Sequence, residues 1–163
     1  MIIRPLQRAD IEAVTEIYNE VLIHTTAIFR DTPASPQERE EWWKAQCEKG
    51  YPVMVAEEDG RILGFGSFGD FRSWPGYRFT VEATIHLCPE ARRHGIGTVL
   101  LKELIAHARS LGKHMLVAGV DADNTPSLNF LAKMGFEETA HMREVGYKFG
   151  RHLDLIFLQY RLS

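Results

Sequence analysis

Phe79-Thr80-Val81-Glu82-Ala83-Thr84-Ile85-His86-Leu87-Cys88, followed by Pro89-Glu90-Ala91-Arg92-Arg93-His94-Gly95-Ile96-Gly97, is the stretch that decides the fold. Phe79, Val81, Ala83, Ile85 and Leu87 fall on one side of an extended chain, and Thr80, Glu82, Thr84, His86 and Cys88 on the other. The alternation predicts a central strand with one polar face. From Thr98 onward, Leu100, Leu101, Leu104, Ile105, Ala108 and Leu111 recur at helical spacing, and Gly112 closes the run. Between strand and helix, Gly95 and Gly97 allow a tight turn with bare N–H groups. The helix dipole favours an anion there, and Arg92 and Arg93 add full charges. A phosphate cradle is one reading of this turn and a solvated basic loop is the other.

Upstream, Ile11, Val14, Ile17, Tyr18, Val21 and Leu22 mark a helix over 10–24 with Asp10 placed to cap it, after a short strand at Ile2–Leu6. Ser35-Pro36-Gln37-Glu38 joins a capping box to a proline at the first helical position, and Gly50 is a left-handed stop, so Pro36–Lys49 is a second helix. Thr25–Ala34 is the loop between them. Val53–Glu57 and Arg61–Phe71 flank Glu58-Asp59-Gly60 as a hairpin. Downstream, His114–Val120 is a buried strand, Pro126–Met134 a helix ended by Gly135, and Phe136–Val145 and His152–Arg161 are terminal strands. The order β-α-α-β-β-β-α-β-α-β-β predicts one mixed, mostly antiparallel α/β sheet with helices on both faces, forming a single domain over 1–163. A doubly wound dinucleotide fold needs regular β-α alternation and is excluded. Gly64-Phe65-Gly66-Ser67-Phe68-Gly69 matches a dinucleotide-binding pattern, but it lies inside a predicted strand and opens no helix. Close packing of the sheet is the better reading of these glycines.

With 19 Lys+Arg against 22 Asp+Glu, the chain lacks the basic excess that a nucleic-acid partner requires. Cys47 and Cys88 are far apart, and no Cys or His stands at metal-ligand spacing; no metal site is expected, and a reducing cytoplasm fits best. No apolar stretch approaches a membrane span or a signal sequence. Cys88 reads as a small core residue rather than an acyl-carrying nucleophile.

Glu82 is the strongest catalytic candidate. A carboxylate in mid-strand, beside Thr84 and His86, lines a polar cavity rather than a core, and a partly buried Glu can take a proton from an amine. Its bland alternative is an ion pair with Arg72 or Arg78. Those two arginines flank a loop holding Trp74 and Tyr77, where a guanidinium fork could read a carboxylate.

Arg-x-x-Gly-x-Gly between a strand and an amphipathic helix, followed by Asn124-Thr125-Pro126-Ser127-Leu128-Asn129-Phe130-Leu131-Ala132-Lys133-Met134-Gly135-Phe136, resembles the GNAT superfamily of N-acetyltransferases. Further segments are similar to the phosphinothricin acetyltransferase family, most of all its branch acting on methionine sulfoximine and methionine sulfone. They are Ile17-Tyr18-Asn19, Thr25-Thr26-Ala27-Ile28, Gly50-Tyr51-Pro52-Val53, Gly69-Asp70-Phe71-Arg72, Gly76-Tyr77-Arg78, Thr80-Val81-Glu82 and Lys148-Phe149-Gly150-Arg151.

The resemblance implies an acetyl-CoA-dependent enzyme acting on a small amino acid, with direct transfer and Glu82 as general base. It places the acceptor against Arg72, Ser73, Trp74, Arg78, Ala83 and Thr84. Acetyl-CoA would lie along Ile85, His86 and Leu87, over Arg92, Arg93, His94, Gly95, Ile96, Gly97 and Thr98, and near Asn124. A homodimer is expected, with Trp42, Trp43 and the C-terminal strand as contact surface. Two departures stand out: Leu131 occupies the position of the usual proton-donating Tyr or His, and His152 replaces an expected aromatic residue. The rival readings are acetylation of a polyamine, an aminoglycoside or a protein N-terminus, and a non-catalytic acyl-CoA-binding module.

Overall fold

In the computed structural model, which describes residues 1–163, the alternating stretch is strand β4 (Thr80–Leu87). The other strands are β1 (Ile2–Pro5), β2 (Val53–Glu58), β3 (Arg61–Asp70), β5 (Met115–Asp121), β6 (Glu137–Lys148) and β7 (Arg151–Arg161). The seven form one sheet in the order β1-β2-β3-β4-β5-β7-β6, antiparallel throughout except for the parallel pair β4–β5. Helices α1 (Ile11–His24) and α2 (Pro36–Glu48) cover one face. Helix α3 (Ile96–Ser110) packs on the other, and α4 (Thr125–Lys133) follows β5. Val14, Val55, Phe65, Val81, Leu100, Leu104 and Leu116 belong to a single buried cluster that spans both layers.

The glycine run inside β3 is a packing device. A Cβ on Gly64 would lie 2.4 Å from Leu87 Cδ2 and 2.9 Å from the His86 carbonyl oxygen. One on Gly66 would crowd Leu104 and Ile85 at 3.2 and 3.3 Å. The missing side chains therefore let α3 and β4 close onto β3. Ser35 caps α2 by accepting from the Glu38 amide at 3.1 Å, with Pro36 at the first turn, and Gly50 ends the segment at φ +69°.

Several expectations are corrected. Asp10 does not cap α1: its carboxylate accepts from the Gln7 amide at 2.8 Å and from the Arg4 guanidinium at 2.7 and 2.9 Å. An ion pair to β1 displaced the capping role. Phe79 leaves the apolar face of its strand, half-exposed, with the Arg78 guanidinium 4.6 Å from its ring. Helix α3 starts at Ile96, two residues before Thr98, and β6 runs three residues past Val145. Trp42 and Trp43, partly buried, pack against the core.

The added length of β6 brings in Lys148, which is 1% exposed. Its ammonium donates to the carbonyls of Thr25 and Ile28, both at 2.8 Å, and also to that of Leu22. A single cation thus satisfies the open C-terminal end of α1 and fixes the loop that follows it. Thr26 donates to the Asp121 carboxylate, and Asn19 exchanges hydrogen bonds with the Ala34 backbone at 2.8 and 2.9 Å. The replacement Lys148→Met should strand three carbonyls and lower stability by about 2–4 kcal/mol, as read by urea unfolding.

Candidate active site

The ladder between β3 and β4 is continuous from Asp70–Val81 to Gly64–Leu87. On the other side, β4 pairs with β5 only at Thr80–Met115, Val81–Leu116 and Glu82–Val117. Beyond Glu82 the two strands diverge, since β5 continues to Asp121 on its β7 partner. The wedge is a cleft of about 120 Å³, lined by Ala83, Thr84, Ile85 and His86 of β4, Ala118–Asp121 of β5, and Asn124, Ser127, Phe130 and Leu131 at α4. Main-chain groups of β4 from Ala83 onward have a strand partner on one side only, so this edge can receive an extended ligand as a further strand.

Beyond the C-terminal end of β4 lies the basic turn. Arg93 (φ +65°) and Gly95 (φ +78°) both adopt the left-handed region, and α3 begins at the next residue. Nothing in the protein lies within 4 Å of a Cβ placed on Gly95, while one on Gly97 would touch Phe130 at 3.5 Å. The first-turn amides of Ile96, Gly97 and Thr98 are the unpaired donors of a helix N-terminus, with Arg92, Arg93 and His94 exposed beside them. This arrangement fits a pyrophosphate at one end of the wedge and a pantetheine-like chain along it, the two features that acetyl-CoA binding requires.

A second cleft, about 380 Å³, opens on the α1–α2 face of the sheet. Tyr18 of α1, Arg39, Trp42 and Gln46 of α2, Phe65, Ser67 and Gly69 of β3, and Glu82, Thr84 and His86 of β4 line it. Ala27, Thr84 and His86 border both clefts, which therefore meet beneath the loop held by Lys148.

Glu82 stands beside that meeting point. Its Oε1 lies against Gly119 of β5, 3.7 Å from where a Cβ would stand. No hydrogen bond engages it; burial raises its pKa above the usual carboxylate value, and the nearby Arg72 charge offsets part of that rise. Close ion pairing with Arg72 or Arg78 is not what holds this residue. His86, edge-on to Phe65 and Tyr18 with ring centroids at 5.5 and 6.1 Å, is pushed down to about 4 by burial and is neutral near pH 7.

The acceptor-loop candidates spread out. The Arg72 guanidinium lies 5.2 Å from the Phe71 ring, on the side that Glu82 senses. Arg78 turns away and donates to the Pro75 carbonyl at 2.8 Å. Ser73 and Trp74 are exposed, Trp74 at 73%, and like Arg72 and Arg78 they line neither of these two clefts. Ala83 and Thr84 do. Asn124 borders the wedge while its side chain caps α4 by accepting from the Ser127 amide at 3.3 Å. Leu131 is buried in the wedge wall and carries no proton to give. His152 sits far off, at the start of β7, edge-on to Tyr147 at 5.1 Å. Cys88 is buried in the core. No group of three His, Cys, Asp or Glu side chains is placed to hold a metal ion.

Sequence reasoning missed Arg39, Lys148 and the Thr26–Asp121 contact. Arg39, Trp42 and Gln46 share one helical face at i, i+3 and i+7, and two polar side chains flanking a tryptophan there were a readable sign of a lined cleft.

Residues 11–136 match the model of the acetyltransferase (GNAT) family. The chain is 45% identical to the L-methionine sulfoximine/L-methionine sulfone acetyltransferase of Salmonella typhimurium, covering 100% of this chain and 95% of that protein. It is 35% identical to the phosphinothricin N-acetyltransferase of Alcaligenes faecalis, covering 99% and 82%. The solved structure of an acetyltransferase from Salmonella typhimurium with its cofactor acetyl-CoA superposes with a TM-score of 0.97 at 44% identity, over 99% of this chain and 94% of that one. The strand wedge, the basic turn at the helix N-terminus and these full-length likenesses agree: the chain belongs to the GNAT family of acetyltransferases.

Proposed function

We propose that this acetyltransferase transfers the acetyl group of acetyl-CoA directly to the α-amino group of a small L-amino acid analogue. Methionine sulfoximine and methionine sulfone are the preferred acceptors and phosphinothricin follows. Support for the acceptor class comes from the relatives' substrates, and support for the chemistry comes from one observation: Glu82 is a half-buried carboxylate with no hydrogen-bond partner in the wall of the second cleft, next to residues that border both clefts.

Bound acetyl-CoA supplies an activated thioester. Ile85, His86 and Leu87 would hold the pantetheine through their backbone, and Arg92 to Thr98 the pyrophosphate, with Asn124 bordering the wedge. Arg72 would attract the acceptor carboxylate, with Ser73, Trp74 and Arg78 around the mouth and Ala83 and Thr84 at the junction. An amine reaches the site protonated; Glu82 removes one proton, directly or through one water, and the freed lone pair attacks the thioester carbonyl. Backbone N–H groups of β4 polarise that carbonyl. With Leu131 in the wedge wall, no side chain there protonates the leaving thiolate, whose pKa near that of a cysteine thiol, about 8.5, lets it depart as the anion while the attacking nitrogen sheds its second proton to solvent as the amide forms.

We also propose a cytoplasmic homodimer. Both cysteines are free, and no helix is long and apolar enough to cross a membrane. Trp42 and Trp43, each only partly buried, and the C-terminal strand remain the candidate contact surface, to which the exposed Met142, Val145 and Tyr147 of the edge strand β6 add apolar area.

The test is Glu82→Gln, assayed across methionine sulfoximine, methionine sulfone, phosphinothricin, spermidine and an N-terminal peptide. Turnover of the first two should fall by about 10²- to 10⁴-fold near neutral pH, with acetyl-CoA affinity kept. The parent rate should drop as pH falls through the raised Glu82 pKa, because the base becomes protonated. The variant's deficit should shrink as rising pH deprotonates the amine unaided; an equal deficit at every pH would assign Glu82 to positioning. A raised carboxyl pKa means that the charged form costs folding stability above that pKa, so Glu82→Gln should be at least as stable as the parent at pH 7. A parent preference for spermidine or the peptide would overturn the amino-acid assignment. Light scattering should return about twice 18.6 kDa at micromolar protein, and a mass of 18.6 kDa would contradict the dimer.

A further inference from the structure

Arg39 is a buried cation without a counterion. It is 7% exposed, and its guanidinium carbon lies 4.1 Å from the Tyr18 ring centroid and 4.0 Å from that of Trp42. Its Nε is buried with no hydrogen-bond partner, and no side chain of the protein bonds to the guanidinium. The adjacent carboxylates are engaged elsewhere: Glu38 takes Arg30 at 2.6 and 2.8 Å, and Glu40 takes Arg8 at 2.6 Å. Burial pulls the Arg39 pKa down, a sign of charge held out of water without a partner.

The geometry limits what can satisfy it. Two rings lie about 4 Å from the guanidinium carbon and offer its N–H donors no oxygen acceptor, and Arg39 belongs to the wall of the cleft that contains Glu82. A planar fork of this kind takes two oxygens on one atom better than any single acceptor. Arg39 lies at the level of Phe65, 5.9 Å from its ring, and Phe65 pairs with His86 in the sheet. Glu82 is four residues from His86 along β4, roughly 13 Å at strand spacing. Glu82 and Arg39 line the same cleft of about 380 Å³, which is room for a small amino acid.

We propose that Arg39 binds the oxygen-bearing side-chain tip of the acceptor, so that the cleft selects amino acids ending in sulfone, sulfoximine or phosphinate oxygens. This rests on the α-amino acid assignment above, with the amine at Glu82 and the carboxylate toward Arg72. An apolar tip would leave the donors unpaired, and a cationic tip would meet an uncompensated positive charge.

The experiment compares kcat/KM for methionine sulfone, methionine and lysine in the parent, Arg39→Met and Arg39→Lys. Melting temperature and acetyl-CoA affinity serve as controls for folding. The parent should favour the sulfone over methionine, which shares its backbone groups and length. In Arg39→Met the sulfone should lose about 10- to 100-fold, and far more than methionine, so that the preference collapses. Arg39→Lys keeps charge without the fork and should fall between. An equal loss for both substrates, or a preference retained in both variants, would overturn the subsite and leave Arg39 as packing between α1 and α2. A parent that acetylates no amino acid would instead defeat the acceptor assignment. Calorimetric titration of methionine sulfone into CoA-loaded parent and Arg39→Met then decides the subsite by itself, with equal or absent binding counting against it.

Discussion

Parallel pairing between β4 and β5 stops after three residues, and the site depends on that stop. A longer ladder would satisfy the β4 edge internally and close the wedge. The divergence leaves main-chain groups from Ala83 onward partnered on one side only, points the strand toward the N-terminus of α3, and puts Glu82 at the last paired position. Strand edge, anion turn and carboxylate are therefore consequences of one break in a sheet. What keeps the break open is packing: β5 follows β7 for seven residues while β4 follows β3 for seven, and the glycines of β3 allow the second attachment to be tight.

The site gathers features that would be costs elsewhere. Glu82 is a carboxylate without a hydrogen bond, Arg39 a cation without a counterion, and Arg93 a non-glycine residue in the left-handed region. Each is unfavourable alone. Glu82 and Arg39 share one cleft and Arg93 lies in the turn before α3, with an apolar cluster spanning the sheet behind them, the pattern of a molecule that keeps unsatisfied groups for a ligand. Lys148 is the contrasting case. It is as buried as Arg39, but three carbonyls occupy it, and it serves to hold the loop roofing the clefts.

What the sequence made legible was whatever local patterning decides. The alternation of β4, the glycine turn and the amphipathic α3 could be read directly, and so could the decoy status of Gly64–Gly69, because a phosphate motif must open a helix. Long-range partners were not legible. Asp10 had the residue type and place of a cap, yet Arg4 claimed it from strand β1. Lys148 fell beyond the strand expected over Phe136–Val145, and its carbonyl partners lie at least 120 residues away. Arg39 sits in a helix crowded with Glu and Arg that reads as solvated; only the face it shares with Trp42 and Gln46 betrays it. Arg72 and Arg78 looked like a pair because they are near in sequence, but the turn at Pro75 sends their guanidinium groups to different partners.

The claim on which the account rests is that the diverging edge of β4 is where acetyl-CoA binds. Amide hydrogen exchange across Ala83–Leu87, followed by mass spectrometry with and without acetyl-CoA, tests it most directly. Protection should appear in that segment and at the Ile96–Thr98 amides, while the β6–β7 hairpin stays unchanged. Unchanged exchange along β4 at saturating acetyl-CoA would contradict the account.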